Sequence, residues 1–115
     1  MEGKLRKYCR EVSPLELKTL VENRLKRISP TMEYVRNLIL DVKLILRILL
    51  DEEFSLKEEA RKDFICALLH FAEPKKMPFV GLWNDYKVVR FVKEKHRQEI
   101  ERYFENTPHF LANYF

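Results

Sequence analysis

Apolar residues along this chain recur every three or four positions, and the strict alternation that a half-buried strand needs is absent. The pattern predicts helices throughout. Ser13-Pro14-Leu15-Glu16 has the layout of a helix start: a serine to cap, a proline suited to the first helical position, and a glutamate three residues on to reciprocate. Leu17, Leu20, Val21 and Leu25 follow on one face, with Ile28 at the end and Lys18, Glu22, Lys26 and Arg27 outward. Ser29-Pro30 repeats the signal and predicts a central helix running to about Leu50. Projected at about 100° per residue, Val35, Leu38, Ile39, Val42, Ile45, Leu46 and Leu49 form one broad stripe, and Leu40, Leu44 and Ile48 form a second. A helix apolar on two sides is covered by neighbours on both or lends one side to a second copy, so the second stripe predicts a dimer.

Ser55-Leu56-Lys57-Glu58 reads as another capping box, opening a third helix that carries Leu56, Ala60, Phe64, Ala67, Leu68 and Phe71 inward and ends near Ala72. The stretch from Glu73 to Asp85 then breaks the helical pattern with Pro74, Pro78, Gly81 and the sole tryptophan, Trp83. It predicts an ordered clasp in which Gly81 takes a left-handed turn, Met77, Phe79 and a largely buried Trp83 cover helix ends, and Asn84 or Asp85 caps the next helix. That fourth helix reaches about Phe104, with Val88, Val89, Val92, His96, Ile100 and Tyr103 inward. Thr107-Pro108 opens a last turn, through Phe115, whose aromatic residues dock on the body. Residues 1–12 read as a loosely docked arm. The expectation is a single all-α domain over residues 1–115, a compact bundle of four main helices plus a short C-terminal helix or turn.

Composition agrees with one core: 115 residues, 46% of them hydrophobic and only two glycines. The most apolar segment, Met32 to Leu50, is interrupted by Arg36, Asp41, Lys43 and Arg47, which argues for a buried helix and against a membrane span. Against 18 acidic residues stand 22 basic ones, a formal net charge of +4. That is a mixed surface, although Lys4, Arg6, Lys7, Arg24, Lys26 and Arg27 make the N-terminal part basic enough to attract an acidic partner or nucleic acid. Cys9 and Cys66 lie in dissimilar settings and show no close pairing, and the N-terminus lacks a signal-peptide pattern, so a reducing cytoplasm is expected.

Glu59, Asp63, Cys66 and His70 share one ridge of the third helix. The first and last are about 16 Å apart at the helical rise, so at most Cys66 with His70, or His70 with Glu73, forms half a metal site, and neither a complete metal centre nor a cofactor is expected. Arg90 and His96, five residues between them, resemble the catalytic Arg-x4-6-His signature of HEPN ribonucleases, small helical bundles working as dimers. The resemblance implies an arginine stabilising the scissile phosphate and a histidine assisting proton transfer. Phe91, where that family carries a polar residue, departs from it. Gly-rich phosphate loops, serine elbows and HExxH patterns are absent.

The run ALLHFAEPKKMPFVGLWNDYKVV, Ala67 to Val89, resembles the core of the YkvA-like domain of unknown function. Pro74 and Pro78 correspond to that family's loop prolines, Gly81 to its glycine and Asn84-Asp85 to its acidic pair. The loop is shorter here, and Lys75 and Lys76 stand where an acidic residue belongs. The resemblance implies a helical fold and no particular reaction. The leading functional expectation is a cytoplasmic, self-associating, non-enzymatic interaction or regulatory module that meets partners through the basic N-terminal helix or the aromatic tail. The alternatives are a HEPN-like ribonuclease using Arg90 and His96, and a weak nucleic-acid binder.

Overall fold

The computed structural model describes residues 1–75 and 77–107, with Pro78 and Phe79 described by their backbone alone. The expected C-terminal turn beyond Thr107 and the contact expected of Phe79 lie outside this. Every regular element among the described residues is a helix: α1 (Glu2–Arg6), α2 (Pro14–Leu25), α3 (Glu33–Leu50), α4 (Glu58–Ala72), α5 (Pro78–Lys95) and α6 (Arg97–Asn106). The all-α expectation holds, with the fourth predicted helix resolved into two.

The Ser13 start is realised in its serine and proline: the Ser13 Oγ accepts the Glu16 amide at 3.1 Å and Pro14 is the first helical residue, while the Glu16 carboxylate accepts from Arg10 Nη2 at 3.1 Å. The other two serine starts are displaced. Residues 29–31 form a three-residue turn closed by the Thr31 amide on the Ser29 carbonyl, with Pro30 at its centre, where a fixed φ suits an inverse γ-turn. Helix α3 therefore begins only at Glu33. Ser55 does not cap α4 either. The Lys57 amide at the start of that helix donates to Glu99 Oε1 of α6 at 2.9 Å, so a carboxylate 42 residues away takes the capping role.

Helix α3 runs through the middle against α5 and α4, with α2 at its edge. Both of its stripes are covered from within the chain: Val42 and Ile45 are fully buried, and Leu44 and Ile48 nearly so. Of the second stripe Leu40 alone is exposed, so the apolar face that predicted a dimer is spent on intramolecular packing. The N-terminal arm is docked, not frayed, since α1 lies on α4 with Leu5 fully buried. The arm is also tied covalently. Cys9 and Cys66 form a disulfide across 57 residues, contrary to the expectation of unpaired thiols, because docking α1 sets Cys9 beside the buried face of α4.

The clasp is built differently from its expectation. Helix α5 starts at Pro78, well before Asn84, so Gly81 and Asp85 lie inside it and Asp85 caps nothing. The Gly81 amide donates to the Met77 carbonyl at 2.7 Å, and no described glycine has positive φ. The glycine is required for a different reason: a Cβ there would stand 2.6 Å from the Lys75 Cβ and 2.7 Å from its Cγ. The missing side chain gives the Lys75 stem its passage across α5. Met77 and Trp83 do not cover helix ends; Trp83 is 46% exposed and Met77 65%. Trp83 stacks on Tyr86, with Tyr34 edge-on to both, in a surface aromatic cluster.

Gly81→Ala improves helix propensity by about 1 kcal/mol, but it must displace the near end of the Lys75 side chain, an overpacking that costs about 1–3 kcal/mol. A lower urea midpoint is expected. A midpoint equal to or above the parent's would show that Lys75 is free to move aside.

Candidate functional site

The α4–α5 pair carries four ionisable groups in an interface where charge is costly. On α4, Asp63 and His70 are seven residues apart, and on α5 and its end Asp85 and His96 are eleven apart, so each couple shares a helix face. The helices run antiparallel, which sets each acid opposite the other helix's imidazole. His96 Nε2 donates to Asp63 Oδ2 at 2.7 Å, and His70 Nδ1 donates to Asp85 Oδ1 at 2.7 Å. Both carboxylates are fully buried.

Each carboxylate draws in two further cations. Asp63 receives Arg6 Nη2 of α1 at 2.6 Å and Lys95 Nζ at 3.0 Å. Arg6 also reaches the Cys66 sulfur through Nη1, at 3.3 Å. Lys95 further pairs with Glu2 at 3.1 Å. Burial alone would raise the Asp63 carboxyl, but hydrogen bonds from His96, Lys95 and Arg6 outweigh it and hold the group below the usual carboxylate range. The bond to Asp63 in turn raises the Lys95 ammonium. The chain leaves helical geometry at His96, with φ −111° and ψ 30°, and this break separates α5 from α6 where the imidazole turns inward onto Asp63.

Around Asp85, Lys75 Nζ lies 3.1 Å from Oδ1 and also donates to the His70 carbonyl. Arg24 of α2 approaches Oδ2 at 3.6 Å while donating to the Phe71 carbonyl, so Oδ2 is paired in charge without a direct hydrogen bond. Burial lowers both the Arg24 and Lys75 cations from their usual ranges, with Asp85 opposing it. Glu99 at the start of α4 is a third buried carboxylate. Arg102, together with the Lys57 amide, holds it down at about 2.

Above the Asp85 cluster the surface opens into a cleft of about 410 Å³ between α1 and the beginning of α5. Lys4, Lys7, Tyr8 and His70 line one side, and Lys75, Met77, Val80 and Asn84 the other. Among the described residues no carboxylate lines it. The Tyr8 ring stands edge-on to His70 at 5.3 Å, and the ammonium groups of Lys7 and Lys75 lie 5.3 and 5.0 Å from its centre.

The residues singled out from sequence are redistributed accordingly. Arg90 is exposed and donates to the Tyr86 hydroxyl at 2.7 Å, whereas His96 is engaged by Asp63, and among the described residues these two side chains share no partner. Cys66 is consumed by the disulfide and His70 by Asp85, so the proposed half-site for a metal is not assembled. Among the described residues no three metal-ligating side chains converge. Of the six basic residues read as a nucleic-acid footprint, Arg6 and Arg24 are turned inward onto Asp63 and Asp85. From sequence Asp63 reads as part of a ridge, and Asp85 as a cap and as half of the acidic pair in the YkvA-like resemblance. The spacings of seven and eleven, acid before imidazole on both helices, were the available signal. No family model, curated protein or solved structure matches this chain.

Folding favours the ionised form of Glu99, so its contribution is complete above about pH 4.5, its ordinary value, and is lost as pH falls towards about 2. Glu99→Gln is therefore expected to be less stable than the parent at neutral pH, with the difference closing across that window in urea titrations. A difference independent of pH would contradict this account of the α4 cap.

Proposed function

We propose that the protein is a non-enzymatic interaction module that captures an acidic, partly apolar segment of another protein in the cleft between α1 and α5. The observation that carries the reading is the lining: exposed Lys4 and Lys7, with no carboxylate among the described lining residues, beside exposed Met77 and Val80. Charge complementarity of this kind steers an anionic partner, while the apolar lip gives a buried side chain somewhere to go.

The likeness to YkvA-like domains fits within this reading, since Pro74 and Gly81 border the cleft and Asp85 anchors its floor through His70 and Lys75. No described helix is long and apolar enough to cross a membrane. A cytoplasmic location is part of the proposal, and it makes the state of the Cys9–Cys66 bond a variable.

A fluorescein-labelled peptide of glutamates and aspartates around a central leucine serves as the probe. Its binding, followed by anisotropy, is expected to weaken as salt rises from about 50 to 300 mM and to fall about tenfold or more (about 1.4 kcal/mol) in Lys4→Glu/Lys7→Glu. Both lysines are exposed, so the variant retains the fold. Equal binding by parent and variant would overturn the proposal.

A further inference from the structure

The disulfide joins two very different cysteines. Cys66 is fully buried in the middle of α4, whereas Cys9 is exposed, just beyond α1. Cys9 also lines a surface cavity of about 780 Å³ with Arg10, Val12, Lys62 and Ile65. An incoming thiolate therefore has a path to the Cys9 sulfur and none to that of Cys66. On the far side of the bond, Arg6 Nη1 lies 3.3 Å from the Cys66 sulfur, placed to stabilise negative charge developing there.

We propose that Cys9–Cys66 is an exchangeable redox site whose reduction by a dithiol releases the N-terminal arm and dismantles the basic cleft. The dithiol's first thiolate attacks Cys9 Sγ. The Cys9–Cys66 bond breaks, and its electron pair leaves on Cys66 as a thiolate beside Arg6. The dithiol's second thiolate then attacks its own sulfur in the mixed disulfide, closing an intramolecular disulfide and expelling the Cys9 thiolate. Two electrons pass to the protein, and the two cysteine thiolates equilibrate with protons given up by the dithiol.

The consequence follows from what the arm carries. Lys4, Lys7 and Tyr8 form one wall of the cleft, and α1, at five residues, is too short to persist as a helix unless held. With the bond intact, a closure spanning 57 residues is covalent. Once it is broken, the described contacts that hold the arm are Leu5 burial, Arg6 on Asp63 and the Cys66 sulfur, the Tyr8 ring against His70 and Lys75, and the exposed Lys95–Glu2 and Arg10–Glu16 pairs, none of them covalent. The effect on the cleft rests on the acidic-segment reading above; the release of the arm does not.

Hydrogen exchange by mass spectrometry tests the release on oxidised protein, on protein fully reduced by dithiothreitol, and on Cys9→Ser, in which the buried cysteine is untouched. Amides of the arm, among them Leu5, Lys7 and Cys9, which donate to Met1, Lys4 and Arg6, are expected to exchange at least tenfold faster in the reduced protein and in Cys9→Ser. Those of α4 and α5 should remain protected. The acidic peptide is expected to bind the oxidised form at least fivefold more tightly than either of the others. Unchanged arm protection in fully reduced protein overturns the proposal, as does loss of protection throughout α4, which would make the bond a staple for the whole fold. If the oxidised form fails to bind the peptide, the acidic-segment reading falls, while exchange at the arm still decides the latch.

Discussion

Two fully buried carboxylates, Asp63 and Asp85, are the constraint on which the rest of the structure depends. An ionised carboxylate removed from water costs several kcal/mol unless opposite charge and hydrogen-bond donors replace the solvent. Each aspartate is met by an imidazole from the facing helix and by two further cations. Features that look unrelated follow from that demand. The N-terminal arm docks because Arg6 belongs to Asp63, Arg24 links α2 to α5 through Asp85, and Gly81 lacks a side chain so that Lys75 can cross to the same carboxylate. The helix breaks at His96, where the imidazole turns to complete the first cluster.

The arrangement also supplies specificity that apolar packing alone would not. A pair of apolar helix faces tolerates sliding by a turn, but two oppositely ordered acid–imidazole pairs match in one antiparallel register only. Any other alignment strands a buried charge, so the polar contacts exclude alternatives more than they add stability. At the surface the same clusters have an external face. His70 and Lys75, anchored by Asp85, form part of the floor and wall of the cleft, so a binding surface is built on groups fixed from beneath.

Local pattern made much of this legible. The all-α class, the Ser13 start and the central position of the second predicted helix are written in spacing, because propensity, capping and amphipathic period act over a few residues. The starts at Ser29 and Ser55 misled for the opposite reason: a proline turn delays α3, and Glu99, far along the chain, caps α4. Asp85 reads as a cap while it is thought to begin a helix; it becomes a buried charge once α5 is known to start at Pro78. The disulfide, the two acid–imidazole pairs and the Arg6 contacts depend on partners separated by 15 to 60 residues, which short-range pattern does not report. The four-residue and three-residue steps along α4 did put Asp63, Cys66 and His70 on one ridge, and each proved to hold a long-range partner.

The central claim is that buried acid–imidazole pairs hold α4 to α5, and a double-mutant cycle between His70 and Asp85 measures it directly. Unfolding free energies of the parent, His70→Ala, Asp85→Ala and the double variant isolate the coupling between the two side chains. The account requires strong destabilisation in the single variants and a coupling of about 1–3 kcal/mol, since removing either partner strands the other. Effects that add to within about 0.5 kcal/mol would show that the two groups do not depend on each other, and would contradict it.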